Sequence, residues 1–387
     1  MDARDTLELV GLLLAILAGF GAVAAPAFKF GEWMGKRSAD AEGANEVAAL
    51  QAELAEKSAQ LDRLTNELSE AARDRQAQER QLLEAFSSNE KIWRRFEAKK
   101  PPGFDATMAR GKSKIITVGN LKGGVGKTTL TVNLAAYFAR KLGKKVLVID
   151  LDYQGSASNT LRRFVQEPET RSKVDALFSR NWMPAVFGNA VESLESKLPR
   201  AFLLPSAHGF DDTENRVMIE WFAAGGEFDA RYHLARYFCD GEASSRYDVI
   251  LIDTPPRLTT GMINALCAST HLLVPTRLDI LSAEAVAPFL KSVETLVGDL
   301  NPTVKLAGVV GTMTRDYRID GPSRDAMSTL RDALQWFGNP APLFDGILPT
   351  KTSIADAAGR AVAYVTDPDV RPIFDMIGDQ LAKRIEL

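Results

Sequence analysis

KGGVGKTT, residues Lys122–Thr129, follows a short apolar run, Lys114–Val118, and leads at Leu130 into helical apolar spacing. A strand that passes through a glycine-rich turn into a helix is the setting of a phosphate-binding P-loop. Gly123, Gly124 and Gly126 let the backbone turn tightly and approach phosphate oxygens with no Cβ in the way. Backbone N–H groups of the loop and the positive end of the following helix then favour the β- and γ-phosphates of a nucleoside triphosphate. Lys127 adds a mobile cation, and Thr128 offers its hydroxyl to Mg²⁺. The expected cradle is Gly123, Gly124, Val125, Gly126, Lys127, Thr128 and Thr129.

The general pattern G-x-x-x-x-G-K-[ST] asks for a glycine at position 121, where this chain has Leu121, and places a lysine, Lys122, at the head of the loop. In this form the motif resembles the deviant Walker A of the ParA/MinD family of dimerising ATPases. The resemblance implies ATP and Mg²⁺ as cofactors and a homodimer that sandwiches two nucleotides. It also implies a catalytic role for Lys122, which would reach the partner's nucleotide and offset charge on the transferred phosphoryl group.

Further along, Lys145–Leu151 is a continuous apolar run that ends at Asp150 and Asp152, and Tyr247–Asp253 repeats the pattern. Such runs read as buried parallel strands, whose carboxyl ends carry ligands. The first resembles the family's D-x-D-P-Q-G segment, which makes Asp152 the expected catalytic residue orienting the attacking water. Asp150 is expected to support Mg²⁺ or the loop. Tyr153 and Ser156 replace the family's usual Pro and Asn, a departure that bears on hydrolysis rate. Asp253-Thr-Pro-Pro256 matches the Walker B and switch segment, so Asp253 is expected at the metal opposite Thr128. By the same resemblance Pro349 and the loop 312–315 are expected beside the adenine.

His271–Pro275, Lys305–Thr312 and Gly346–Pro349 read as further strands, alternating with helical spans near 281–298 and 322–336. The alternation predicts an α/β fold, a doubly wound and mostly parallel sheet over residues 113–387.

Across 387 residues, 45% hydrophobic and 25% charged, the composition is globular and leaves room for about two domains. The net charge is −3, and residues 113–387 hold 31 Lys+Arg against 32 Asp+Glu, so no chain-wide nucleic-acid signal exists. Arg315, Arg318, Arg324, Arg360, Lys383 and Arg384 are the candidates for local phosphate contacts with DNA. Cys239 and Cys267, with His208, His233 and His271, lack zinc or disulfide spacing.

From Leu9 to Phe28 the chain runs 20 residues without a charge, about 30 Å of helix, enough for one bilayer core. One basic residue, Arg4, precedes it and three, Lys29, Lys36 and Arg37, follow, so the bulk of the chain is expected on the cytoplasmic side of an inner membrane. Residues 1–30 are thus the expected single-pass anchor. A cleaved signal peptide ending near Ala24 and a buried core helix are the competing readings.

Val47, Leu54, Leu61, Leu68, Leu82 and Phe96 keep a seven-residue register, with Leu50, Leu64, Ala71, Ala85 and Ile92 on the second seam. The heptads predict a coiled-coil stalk over 31–100, with a long helix packed on its own domain as the alternative. Pro101-Pro-Gly103 ends it, and 101–112 is expected as a flexible connection. The assembled expectation is a membrane-tethered ATPase switch acting on a membrane-associated protein partner, for example in surface assembly or a defence module. A DNA-gripping partition protein and a non-catalytic adaptor with structural nucleotide are the alternatives.

Overall fold

The computed structural model describes residues 41–85, 89–166, 172–180, 182–314, 321–334 and 343–387. Contacts divide the chain into two units, Met1–Glu84 and Ala85–Leu387. In the first, the described residues form one helix, α1 (Ala41–Ala85), rich in Ala, Leu, Glu and Arg and free of proline. Leu61, Leu64 and Leu68 on it are 51, 58 and 51% exposed, an apolar face left open among the described residues. The anchor expected at Leu9–Phe28 lies outside the described residues, among which no helix is long and apolar enough to cross a membrane.

The second unit opens with two short helices, α2 (Asn89–Trp93) and α3 (Phe104–Arg110). Here the chain departs from the expected stalk and flexible connection: Ile92, Trp93, Phe104 and Met108 are all buried in the core. Phe96 lies edge-on to Trp221 with centroids 5.2 Å apart. The i, i+4 spacing of Ile92 and Phe96 that fits a heptad seam fits equally the apolar stripe of a helix packed on a globular core.

There follow β1 (Lys114–Val118), α4 (Lys127–Arg140), β2 (Val146–Asp150), α5 (Ser156–Val165), β3 (Glu192–Ser193), β4 (Ala201–Leu204) and α6 (Phe210–Ala223). The remainder comprises β5 (Val249–Asp253), α7 (Thr260–Ala268), β6 (His271–Arg277), α8 (Ile280–Glu284), α9 (Val286–Leu300), β7 (Lys305–Thr314), α10 (Gly321–Leu334), β8 (Leu348–Pro349) and α11 (Arg371–Arg384). The strands form one sheet in the order 3-4-2-5-1-6-7-8, parallel except for β3 against β4.

Alternation along each strand sends side chains to opposite faces and builds two cores. Ile115, Leu147, Ile149, Ile250 and Ile252 point to one, which α6, α7 and α9 cover. Ile116, Val146, Val148 and Leu251 point to the other, which α4 and α11 cover. Every apolar run expected as a strand is one. The strands β3 and β4 and helix α6 come from the middle third, where no motif announced them.

Candidate functional site

Register brings the chemistry to one edge of the sheet. Asp253 pairs with Val118 on one side and Asp150 on the other, so the two carboxylates sit on neighbouring strands beside the start of the P-loop. Gly124 and Gly126 hold φ of 67° and 88°, a left-handed backbone that a side chain strains. The loop is fastened from β7, where the Thr312 hydroxyl donates to the Val125 carbonyl at 2.9 Å.

A cavity of about 530 Å³ opens over this loop. Residues 123–129, Asp152 and Pro256 line one side, and Met313, Ile354 and the 357–363 turn line the other. All seven residues of the expected cradle reach it. Lys127 is buried at 7% exposure and its ammonium donates to the Lys122 carbonyl at 3.3 Å. Burial pulls its pKa down, and the facing Asp253 and Asp152 charges work against that pull. Thr128 donates its hydroxyl to Asp253 at 2.7 Å. Asp152 lies at the cavity wall, where one oxygen accepts the Gln154 amide at 3.0 Å.

Four expected residues stand elsewhere than the cavity surface: Asp253, fully buried behind Thr128, and Asp150, Pro349 and Lys122. Asp150 is fully buried, with one oxygen accepting from Asp152 N at 3.0 Å and the other from the Ser158 amide and hydroxyl at 2.9 and 2.8 Å. Both oxygens accept hydrogen bonds that shape the loop, the second of the two supporting roles expected of Asp150. Its pKa is raised to about 6 by burial, against the lowering effect of those hydrogen bonds. Pro349, expected at the adenine, is buried in β8 and does not line the cavity, whereas Met313 of the 312–315 loop expected beside it does. Lys122 also lies off its own cavity: its ammonium donates to Ser282 Oγ at 2.6 Å and sits 3.8 Å from Asp279.

Among the described residues no cluster of three or more His, Cys, Asp or Glu side chains could hold a metal ion alone. That suits Mg²⁺, which takes one or two protein oxygens and completes its shell with water and phosphate. The Thr128 hydroxyl at the cavity and Asp253 behind it are the donors that fit. Asp253 is held well above the usual carboxylate range by burial and by the Asp150 charge beside it. A divalent cation in front of this pair would offset that cost.

Glu214 on α6 escaped the sequence reading. It is 5% exposed and accepts the Gly261 amide at 2.6 Å, at the start of the helix that follows the Asp253–Pro256 segment. No local pattern separates it from Asp211, Asp212 and Glu220 on the same helix. Trp221, by contrast, is a core residue at 0% exposure.

A family model described as an AAA domain matches residues 113–306. The chromosome-partitioning ATPase Soj of Thermus thermophilus is 31% identical over 258 residues, which cover 66% of this chain and 90% of that protein. The cell division protein PomZ of Myxococcus xanthus is 29% identical over 258 residues, 66% of this chain and 73% of PomZ. An ATP complex of McdA from Cyanothece shares the fold, with a TM-score of 0.56 at 21% identity over 70% of this chain and 97% of that one. With the P-loop, the two strand-end carboxylates and the parallel sheet in place, this chain belongs to the AAA-domain family of ParA/MinD-type P-loop ATPases.

Proposed function

We propose that this chain is a membrane-anchored positional or regulatory switch that binds ATP with Mg²⁺, closes as a nucleotide-sandwich homodimer and opens on hydrolysis. The observation that carries the reading is the division of labour between the two P-loop lysines. Lys127 is buried at the chain's own cavity, whereas the Lys122 ammonium lies off that cavity, beside Asp279 and Ser282. A cation so placed serves a phosphate in a second copy better than one in its own loop. Asp152 at the cavity wall orients the attacking water, and Lys127 and the loop amides hold the phosphates. Thr128, with Asp253 behind it, would hold magnesium, which would supply charge neutralisation at the phosphates.

Residues 1–30 are the proposed single-pass anchor in the inner membrane, with the ATPase unit in the cytoplasm and a membrane-associated protein as its client. The exposed Leu61, Leu64 and Leu68 of α1 support pairing of stalks between copies. The test combines two measurements. Full-length Asp152→Ala in detergent is expected to dimerise with ATP and Mg²⁺, and wild-type protein to stay with membranes in alkaline carbonate. A monomer in the first, or release in the second, overturns the corresponding half.

A partition-type reading, in which the ATP form grips DNA, draws on the named similarity to Soj. Two of its candidate contacts, Arg315 and Arg318, lie outside the described residues. Arg384 is engaged with the Ala307 and Leu343 carbonyls at 2.9 Å and lies over the Phe344 ring, leaving Arg324, Arg360 and Lys383 exposed. A steep loss of DNA affinity with salt in the presence of ATP would favour it.

A further inference from the structure

Glu214 is a buried carboxylate that the proposed chemistry does not use. It is held where the start of α7 meets the loop that carries Asp152. Its side chain accepts the Gly261 amide at 2.6 Å and the Thr259 hydroxyl, while its backbone carbonyl accepts the Thr260 hydroxyl at 3.1 Å. Thr259 caps α7 through the Met262 amide, and α7 is the direct continuation of the Asp253–Leu258 segment. The contact is tight. A Cβ added at Gly261 would meet a Glu214 oxygen at 2.8 Å and the Leu151 carbonyl at 3.2 Å. Leu151 lies between Asp150 and Asp152, and its amide donates to the Asp253 carbonyl at 2.9 Å. One carboxylate therefore touches the start of α7 at the point where α7 abuts the loop that carries Asp152.

We propose that Glu214 is a positioning residue for ATP hydrolysis: its carboxylate pins the amino-terminus of α7, and with it the Asp253–Leu258 segment, against the Asp152 loop. The proposal rests on the hydrolytic reading above. In the ionised state the carboxylate accepts charge-assisted hydrogen bonds from Gly261 and Thr259, at the positive end of a nine-residue helix.

Burial opposes ionisation of the Glu214 carboxyl. Burial pushes it up to about 7, against the hydrogen bonds from Thr259 and Gly261 and the Arg257 charge, and the Asp152 charge adds to the upward push. The groups that face it are thus Arg257 from the switch segment, Asp152 from the β2 loop, and the Thr259 and Gly261 donors of α7. Since the folded chain holds this proton more tightly than an ordinary glutamate near 4.5, stability falls as pH rises from there to about 7. Glu214→Gln is therefore expected to be no less stable than wild type at pH 8, which separates a positioning role from a merely structural one.

The experiment uses full-length wild type and Glu214→Gln in detergent, with ATP turnover measured from about pH 6 to about pH 8.5. It adds deuterium uptake of the peptide spanning residues 253–266, corrected for intrinsic exchange. In Glu214→Gln, kcat is expected to be at least about fivefold below wild type at pH 8 while KM moves less than about twofold, with faster uptake in the peptide. A Gln variant that keeps the wild-type kcat and uptake, or that loses ATP affinity with kcat intact, overturns the proposal alone. Wild type that binds ATP and turns over none at any pH overturns the hydrolytic reading and this proposal with it. Should the variant fail to fold, Glu214→Asp, which shortens the reach to the Gly261 amide, decides: wild-type kcat and uptake in it refute the role.

Discussion

Lys122 donates its ammonium to the Ser282 hydroxyl at 2.6 Å, and Ser282 in turn donates to Asp279 at 2.8 Å. The lysine at the head of the P-loop is thus engaged by the residues that open α8. It must leave them before it can serve a nucleotide in a second copy. The Asp279 contact, at 3.8 Å and about 40% exposed, is a surface pair, worth less than about 1 kcal/mol. Ser282→Ala is therefore expected to tighten ATP-dependent self-association by roughly two- to fivefold. Sedimentation equilibrium with ATP and Mg²⁺ measures it, and an unchanged dissociation constant would mean that the contact does not compete with association.

The two lysines should separate in binding and association. Lys127 is buried among the phosphate-facing amides and Lys122 is not, so Lys127→Ala should weaken ATP binding by at least about tenfold. Lys122→Ala should bind ATP within about twofold of wild type as a monomer yet lose ATP-dependent dimerisation and turnover. Titration calorimetry and light scattering on the same samples give the comparison. Equal loss of binding in both variants contradicts the division of labour.

Asp152 lines the cavity with one oxygen engaged by the Gln154 amide. Asp152→Ala should lower kcat by about a hundredfold or more and leave the ATP dissociation constant within a few-fold. Retention of more than a tenth of wild-type turnover in a phosphate-release assay would assign water orientation to another group.

What the sequence made legible follows from distance along the chain. The cradle 122–129 is one turn whose chemistry and spacing are contiguous, and Asp152 and Asp253 announce themselves at the ends of apolar strands. Asp150 was harder, because only the folded loop shows that Ser158 and the Asp152 amide occupy both its oxygens. Pro349 lies in a two-residue strand, too short for periodicity to fix where it points. Glu214 meets Gly261 across 47 residues, and Trp93 stacks on Trp221 across 128, with centroids 6.0 Å apart. Neither partner carries a local signal of the other. The heptad reading of Ile92 and Phe96 failed for the same reason: an apolar face states that it is covered, not by what.

That misread segment carries a stability prediction. Arg231 and Asp229, 1 and 3% exposed, form a bidentate pair at 2.8 and 2.6 Å. The guanidinium also donates to the Trp93 and Glu97 carbonyls at 2.6 and 3.1 Å, and Asp229 accepts the Lys99 amide at 2.9 Å. The pair therefore satisfies the carbonyl of the buried Trp93 and ties down the backbone of the exposed Glu97 and Lys99, and Trp221 packs 5.0 Å from the guanidinium. Arg231→Ala leaves the Asp229 charge and two carbonyls stranded, so it should cost about 3–5 kcal/mol in urea unfolding. Replacing both members, Arg231→Met with Asp229→Leu, removes the stranded charge and should recover part of that loss, while the orphaned carbonyls keep it below wild type. Near-identical urea midpoints for wild type and Arg231→Ala would show that residues 93–99 are held by their aromatic packing alone.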